Sequence, residues 1–192
     1  MATQTGLFDD PQAVVPTMPD GFRYQENIIT EAEEAALVAA LGTLELKPFE
    51  FHGYLGNRRV TSFGLRYDYT RRTVEAAEAF PPFLSELREK AAVFAGRRIE
   101  EFVQAGVNQY PPGAGIGWHK DKPQFGVVVG VSLLAPAIMR LRLATGKTWI
   151  RKSQELQPRS IYILDGEVRS KWEHSVPPVT SLRYSLTFRT LA

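Results

Sequence analysis

Arg183-Tyr184-Ser185-Leu186-Thr187-Phe188-Arg189 alternates polar and apolar residues without a break. Side chains leave a β-strand on opposite faces in turn, so this spacing gathers Arg183, Ser185, Thr187 and Arg189 on one face and Tyr184, Leu186 and Phe188 on the other. The apolar face predicts contact with a core. The face with two guanidinium groups is either solvated or closed over an anion that pairs with them. An arginine fork matches a carboxylate bidentately, so a small dicarboxylate suits the buried arrangement.

This strand is predicted over Arg183 to Thr190; working upstream, others are predicted over Ser160 to Leu164, Lys147 to Arg151, Ile138 to Leu143, Gly126 to Leu134 and Phe102 to Tyr110, separated by Gly and Pro signals. No helical stretch lies between them to serve as a crossover, which favours a sandwich or jelly roll over a parallel sheet. Before Arg98 the pattern is different. Thr30 and Glu33 spell a capping box that opens a helix with Ala36, Leu37, Ala40 and Leu41 on its apolar face and Gly42 as its stop. A second helix is predicted from Pro81 or Pro82 to Ala95, with Phe83, Leu84, Leu87, Ala91 and Phe94 at helical spacing and Gly96 after it. The stretch from Phe49 to Tyr69, with Gly53, Gly56, Gly64 and the pair Arg58 and Arg59, reads as a hairpin or loop. His52 falls within it as a hairpin position.

A chain of 192 residues that is 44% hydrophobic can bury one substantial core, which predicts a single globular unit. Lys and Arg number 23 against 21 for Asp and Glu, so the net charge of +2 permits an anionic partner without requiring one. Cysteine is absent, which excludes disulfides, thiolate metal sites and a cysteine nucleophile. The opening Met1 to Gln12 has no basic region followed by an apolar one, and no apolar run reaches bilayer length. The expectation is a cytoplasmic monomer without membrane contact.

His119-Lys120-Asp121 follows the turn-rich Pro111-Pro112-Gly113-Ala114-Gly115, and an extended backbone points His119 and Asp121 to the same side. On its own such a pair is more often a pair of solvent-facing or supporting polar groups than a pair of ligands. His174 offers a third ligand, and two imidazoles with one carboxylate form the facial triad that suits iron(II) and leaves open positions opposite it. Parity also places Asn108 and Tyr110 on one side of the strand just before this pair, as an amide and a phenol for the same ligand.

Asn108-x-Tyr110, His119-x-Asp121, His174 and Arg183-x-x-x-x-x-Arg189, in this order, resemble the AlkB family of 2-oxoglutarate dioxygenases. The resemblance spans roughly the C-terminal half. It implies a mainly β, α+β fold: a double-stranded β-helix (jelly roll) core over 101–192, N-terminal helices packed on one side with a nucleotide-recognition lid over 21–100, and an extended tail over 1–20. It implies iron(II) on His119, Asp121 and His174. Arg183 and Tyr110 would take the distal carboxylate of 2-oxoglutarate, and Asn108 and Arg189 its metal-chelating end. Dioxygen would be the second co-substrate. The reaction so implied decarboxylates 2-oxoglutarate to succinate and hydroxylates an alkyl group, and an N-methyl base hydroxylated in this way sheds formaldehyde.

By the same resemblance Arg58, Arg59, Phe63 and Tyr67 belong to a lid over a flipped or single-stranded base, with arginines for phosphate and aromatics for stacking. Trp118 is a further stacking candidate, and packing is its other reading. Read alone, the same segment is an ordinary amphipathic hairpin. Two departures stand out: Pro123-Gln124 follows Lys122 where an acidic residue is expected, and Ser185 replaces an asparagine in the 2-oxoglutarate strand. The expected function is oxidative removal of alkyl groups from nucleic-acid bases in DNA or RNA repair. The alternatives are hydroxylation of a tRNA modification or a protein side chain, a non-catalytic nucleic-acid-binding homologue, and a cupin-like metal protein. Gln4-Thr5-Gly6-Leu7-Phe8 resembles the short peptide by which bacterial repair proteins dock on the sliding clamp, so Gln4, Leu7 and Phe8 are candidate clamp contacts.

Overall fold

The strand of alternating residues lies at the centre of the molecule. In the computed structural model, which describes residues 17–51, 54–68 and 71–192, it is β13 (Arg183–Leu191), hydrogen-bonded on one side to β6 (Phe102–Tyr110) and on the other to β8 (Phe125–Leu133). β11 (Ser160–Leu164) and β1 (Phe22–Gln25) extend this sheet beyond β8. The hairpin of β2 (Lys47–Phe51) and β3 (Tyr54–Phe63) extends it beyond β6, giving seven antiparallel strands. A second sheet of four strands runs in the order β10 (Thr148–Leu156), β9 (Ala137–Thr145), β12 (Glu173–Val176) and β7 (Ile116–His119). β4 (Leu65–Asp68) and β5 (Thr73–Ala76) form a separate hairpin. The expected jelly-roll architecture is present. The candidate clamp contacts Gln4, Leu7 and Phe8 lie outside the described residues, as do His52 and Tyr69.

The two faces of the large sheet bury different things. Tyr184, Leu186 and Phe188 of β13 join Val107, Val129 and Ile163 in a core that also takes Leu41, Leu84, Leu87 and Ala91 from the helices. α1 (Glu31–Leu41) begins with the predicted capping box, Thr30 Oγ1 accepting from Glu33 N at 3.2 Å and Glu33 Oε2 from Thr30 N at 2.6 Å. Buried Glu34 ties the same helix to the sheet, pairing with Arg159 at 3.0 Å and accepting from Leu134 N at 2.8 Å. α2 (Ser85–Ala95) ends at Gly96, whose φ of 66° is the left-handed cap conformation that glycine adopts without strain.

The other face of the large sheet looks across to the small one. Met139, Leu141, Leu156, Tyr162, Leu164 and Val128 fill one end of the space between them, and Tyr110, Ala114, Ala137, Val176 and Val179 fill another. β1, β5, β7 and β12 were not expected from sequence. They are four residues each and mix polar with apolar side chains, too little for a periodicity to register. Pro19 is buried, Met18 packs on the inter-sheet core, and Asp20 O accepts from Val168 N at 2.9 Å.

Leu87 is 2% exposed under the large sheet, whereas Val93 on the same helix is 77% exposed. Leu87→Ala is expected to cost about 2–5 kcal/mol and Val93→Ala less than about 0.5 kcal/mol, as read from urea denaturation midpoints.

Candidate functional site

Strand pairing brings the two candidate imidazoles together. His119 at the end of β7 stands opposite His174 of β12 in the register, with ring centroids 4.2 Å apart. Asp121 lies just beyond β7, its Oδ2 at 3.8 Å from His174 Nε2. One ligand atom from each of the three residues lies within 4.8 Å of the others. His119 Nδ1 donates to the Gly117 carbonyl at 2.9 Å, which leaves Nε2 with its lone pair for a cation. The loop after Asp121 has no ladder to hold it, and Arg169 of α3 (Gly166–Ser170) takes that part. Its guanidinium donates to the carbonyls of Lys122, Phe125 and Gly126 at 2.7, 2.5 and 2.8 Å.

Charge compensation sets the protonation states. Burial opposes ionisation of Asp121, yet Arg189 Nη2 at 3.1 Å, with His174, His119 and Arg169 around it, holds the carboxyl well below the usual carboxylate range. Burial pushes His174 down to about 4 and lowers His119 as well. At neutral pH the cluster is therefore two neutral imidazoles and a carboxylate, the forms that bind a metal. One carboxylate with two nitrogens on one side is a donor set that fits iron(II).

The polar face of β13 looks into the space beside this cluster. Arg183 is 1% exposed, its Nε donates to Ser132 Oγ at 3.0 Å, and its Nη1 is buried without a partner among the described residues. The guanidinium lies 5.1 Å from the Tyr110 ring centroid. Asn108 accepts from Arg58 Nη1 at 3.1 Å and donates to Ser185 O at 3.4 Å. Arg189 Nη1 donates to Gln104 Oε1 at 2.9 Å and to Thr187 Oγ1 at 2.8 Å. Across three strands the register aligns Gly106, Thr187 and Gly130 on this face. A Cβ at Gly106 would meet Thr187 Oγ1 at 2.8 Å, and one at Gly130 would overlap the phenol of Tyr162, which folds back over it. The result is a low-walled cradle ending in an orphaned guanidinium nitrogen, which fits the keto diacid expected from the sequence.

Sequence reading did not find Ser132, Gln104, Arg169, Gly130 or Tyr162. The run Val127-Val128-Val129-Gly130-Val131-Ser132 carries no alternation, and only the pairing of β8 with β13 shows that Gly130 and Ser132 share the face of Thr187 and Ser185. Tyr162 is buried, and its phenol is pushed up to about 12 by burial.

The expected substrate residues are dispersed. Arg58 is buried beside Asn108 and stacks on Phe49 at 4.3 Å, so it faces the pocket rather than an external phosphate. Arg59 is exposed on the other face of β3. Phe63 is 4% exposed within the helix-side core, because it shares the strand face of Thr61 opposite Ala105. Trp118 is turned away from the pocket, since alternation sends it to the side of the small sheet opposite His119, where it packs on Arg142. Tyr67 lies under Lys122 Nζ at 5.0 Å, which sets the β4–β5 hairpin against the loop that follows Asp121. Pro123 is exposed, and the side-chain oxygen of Gln124 is buried without a partner among the described residues.

If both imidazoles are already neutral, Mn(II), an air-stable substitute for iron(II), binds near pH 7.5 without net proton release. Titration calorimetry in two buffers of different ionisation enthalpy is expected to return the same heat, and Asp121→Ala is expected to lose the binding. Heats that differ between the buffers would contradict the assigned protonation.

Residues 21–189 match the family model described as the 2OG-Fe(II) oxygenase superfamily. The Arabidopsis thaliana "Alkylated DNA repair protein ALKBH8 homolog" is 30% identical over 175 residues, covering 79% of this chain and 49% of that protein. The Mus musculus "tRNA (carboxymethyluridine(34)-5-O)-methyltransferase ALKBH8" is 28% identical over 170 residues, 84% of this chain and 25% of that protein. The chain thus spans about half of one relative and a quarter of the other. Among solved structures, OsALKBH1 superposes with a TM-score of 0.67 at 17% identity, covering 91% of this chain and 98% of that one. A Pseudomonas putida prolyl-4-hydroxylase superposes with a TM-score of 0.58 at 18% identity, covering 90% and 93%; at these identities the likeness is one of fold. The chain belongs to the 2OG-Fe(II) oxygenase superfamily, and its His119, Asp121 and His174 form a cluster that could hold a metal ion.

Proposed function

We propose that this chain oxidises an alkyl group on a nucleic-acid base, with RNA as its first substrate and a modified tRNA base as the leading candidate within it. The observation that carries the reading is the basic β4–β5 hairpin beside the metal cluster, joined to the loop after Asp121 by the Tyr67–Lys122 contact. Arg66 and Arg71 extend from it with side chains 62% and 73% exposed, and both pair with Glu75. Exposed guanidinium groups next to an aromatic ring suit the phosphates and base of an unpaired nucleotide. The names of the two relatives supply the class: both refer to nucleic acid, and the mouse protein's refers to a tRNA uridine.

In this reading His119, Asp121 and His174 hold iron(II). Arg183 takes the distal carboxylate of 2-oxoglutarate through its free Nη1, and Tyr110 packs beside it. Asn108 and Arg189 flank the chelating end, and Ser185 lines the space between. When bound, iron with 2-oxoglutarate and dioxygen supplies the oxidation: the keto acid becomes succinate and carbon dioxide, and one oxygen atom enters the C–H bond of the alkyl group. The chain's residues contribute position and dryness. Arg189 keeps Asp121 ionised, Ser132 fixes the fork of Arg183, and the cradle of Gly106 and Gly130 leaves room for a carbon chain. An N-methyl group so hydroxylated breaks its C–N bond to release formaldehyde, and a carbon-linked side chain keeps the hydroxyl.

Arg183→Lys replaces a planar fork by a point charge. The 2-oxoglutarate requirement is expected to rise about ten- to a hundredfold, corresponding to about 1.5–3 kcal/mol for one charge-assisted hydrogen bond. An unchanged requirement would move the carboxylate partner elsewhere.

Parallel assays of substrate-dependent succinate formation with methylated DNA, a modified RNA panel including tRNA wobble bases, and peptides test the reading. RNA is expected to drive succinate, with formaldehyde appearing only for N-methyl substrates. Response to peptide alone would overturn the proposal.

A further inference from the structure

The solvent side of the small sheet carries an arrangement that the oxygenase chemistry does not use. Alternation that turns His119, His174 and Leu141 inward turns Trp118, Glu173 and Arg142 outward. The guanidinium of Arg142 lies 4.4 Å from the ring centroid of Trp118 and 4.1 Å from that of Trp149. Glu173 Oε2 accepts from Arg142 Nε at 2.6 Å and fixes the stack. Two of the chain's three tryptophans therefore stand on one outer face, and Trp149 is 37% exposed.

The same face is cationic. Arg151 is directly opposite Arg142 in the β9–β10 register, and Arg140, two residues along β9, is opposite Ser153. Arg140 and Arg151 are both exposed, and among the described residues neither makes an ion pair. Arg151 Nη1 reaches only the carbonyl of Trp149, at 3.5 Å. Against these three guanidinium groups stand Glu173, engaged with Arg142, and Glu155, opposite Ile138 at the far end of the strand pair. Like charges set directly across two strands oppose the pairing. An external anion would relieve that repulsion.

We propose that this face is a second nucleic-acid contact, which holds a single-stranded segment of RNA on the side of the small sheet away from the metal cluster. Arg140 and Arg151 meet phosphates, and the indole of Trp149, backed by the Arg142 stack, takes a base. The proposal rests on the RNA reading given above. Exposed indoles favour a single strand, whose bases are free to stack, over a duplex that hides them. They also favour it over an anionic membrane, which would engage the arginines and leave the fixed Trp118–Arg142–Trp149 stack without a role.

The test uses the full chain with two sets of exposed substitutions, Arg140→Glu with Arg151→Glu, and Trp149→Ala. Binding of a labelled 20-nucleotide single-stranded RNA is followed by fluorescence anisotropy at several salt concentrations. Thermal melts and Mn(II) binding serve as controls and are expected to match the parent. The double variant is expected to weaken binding at least about tenfold and to flatten the salt dependence by a slope of about 1.4, for two phosphate contacts. Trp149→Ala is expected to weaken it about tenfold, within the range for one stacked base. Parent-like RNA affinity in both variants would overturn the proposal even if modified RNA still drives succinate formation. So would a parent chain that binds vesicles containing 30% phosphatidylserine but not RNA. Loss of RNA affinity in the variants, in a protein that no modified base drives to form succinate, would uphold this face and sink the substrate reading instead.

Discussion

A carboxylate and two arginines sit between two sheets whose other contacts are mostly apolar, and the structure depends on how those charges are compensated. Asp121 is held ionised by Arg189 at 3.1 Å, and Arg189 is in turn steadied by Gln104 and Thr187. An unpaired carboxylate in this position would take up a proton, and an unpaired guanidinium would have to be solvated. The pair lets β13 keep a polar face inside the molecule while its other face, Tyr184, Leu186 and Phe188, packs on the helices. Arg183 is compensated less completely. Its Nε is met by Ser132 and its Nη1 by no partner among the described residues, which leaves a buried donor that an anionic ligand would satisfy.

Rigid elements place these groups and irregular segments connect them. His119 and His174 are cross-strand neighbours, so the imidazole pair is as well defined as the β7–β12 ladder. Asp121 lies beyond the end of β7, and its position is inherited from Arg169, which binds the following loop through three close carbonyls. α3 is only one turn and a half long, yet by carrying Arg169 it connects the end of β11 to the metal cluster. Tyr162 makes a comparable long-range connection, because the absence of a side chain at Gly130 is what allows its ring to fold inward.

The small sheet shows one alternation serving two surfaces. Residues with one parity on β7, β12 and β9 supply the candidate metal ligands and inter-sheet core, and those with the other parity supply the Trp118–Arg142–Glu173 cluster. A substitution at Trp118 or Glu173 is therefore adjacent in sequence to a candidate ligand but opposite to it in space.

Local pattern in the sequence was sufficient for the four central strands of the large sheet, β6, β8, β11 and β13, both long helices, the capping box at Thr30 and the candidate triad, because each of these is written in short-range periodicity or in residue type. β6 and β11 have the bounds read from sequence, and β13 extends one residue beyond them. What depended on which strands pair was not legible there. Phe63 and Trp118 look like ligand-facing aromatics in a linear reading, and the register turns the first into the core and the second to the solvent face. Ser132, Gly130 and Tyr162 have ordinary strand surroundings in sequence and acquire meaning only beside β13. The sequence by itself determined the inventory of charges and the alternation of each strand. Tertiary structure decided which of those faces meet across the interior, because the energy of burying a charge belongs to its neighbours in space and the chain's order does not name them.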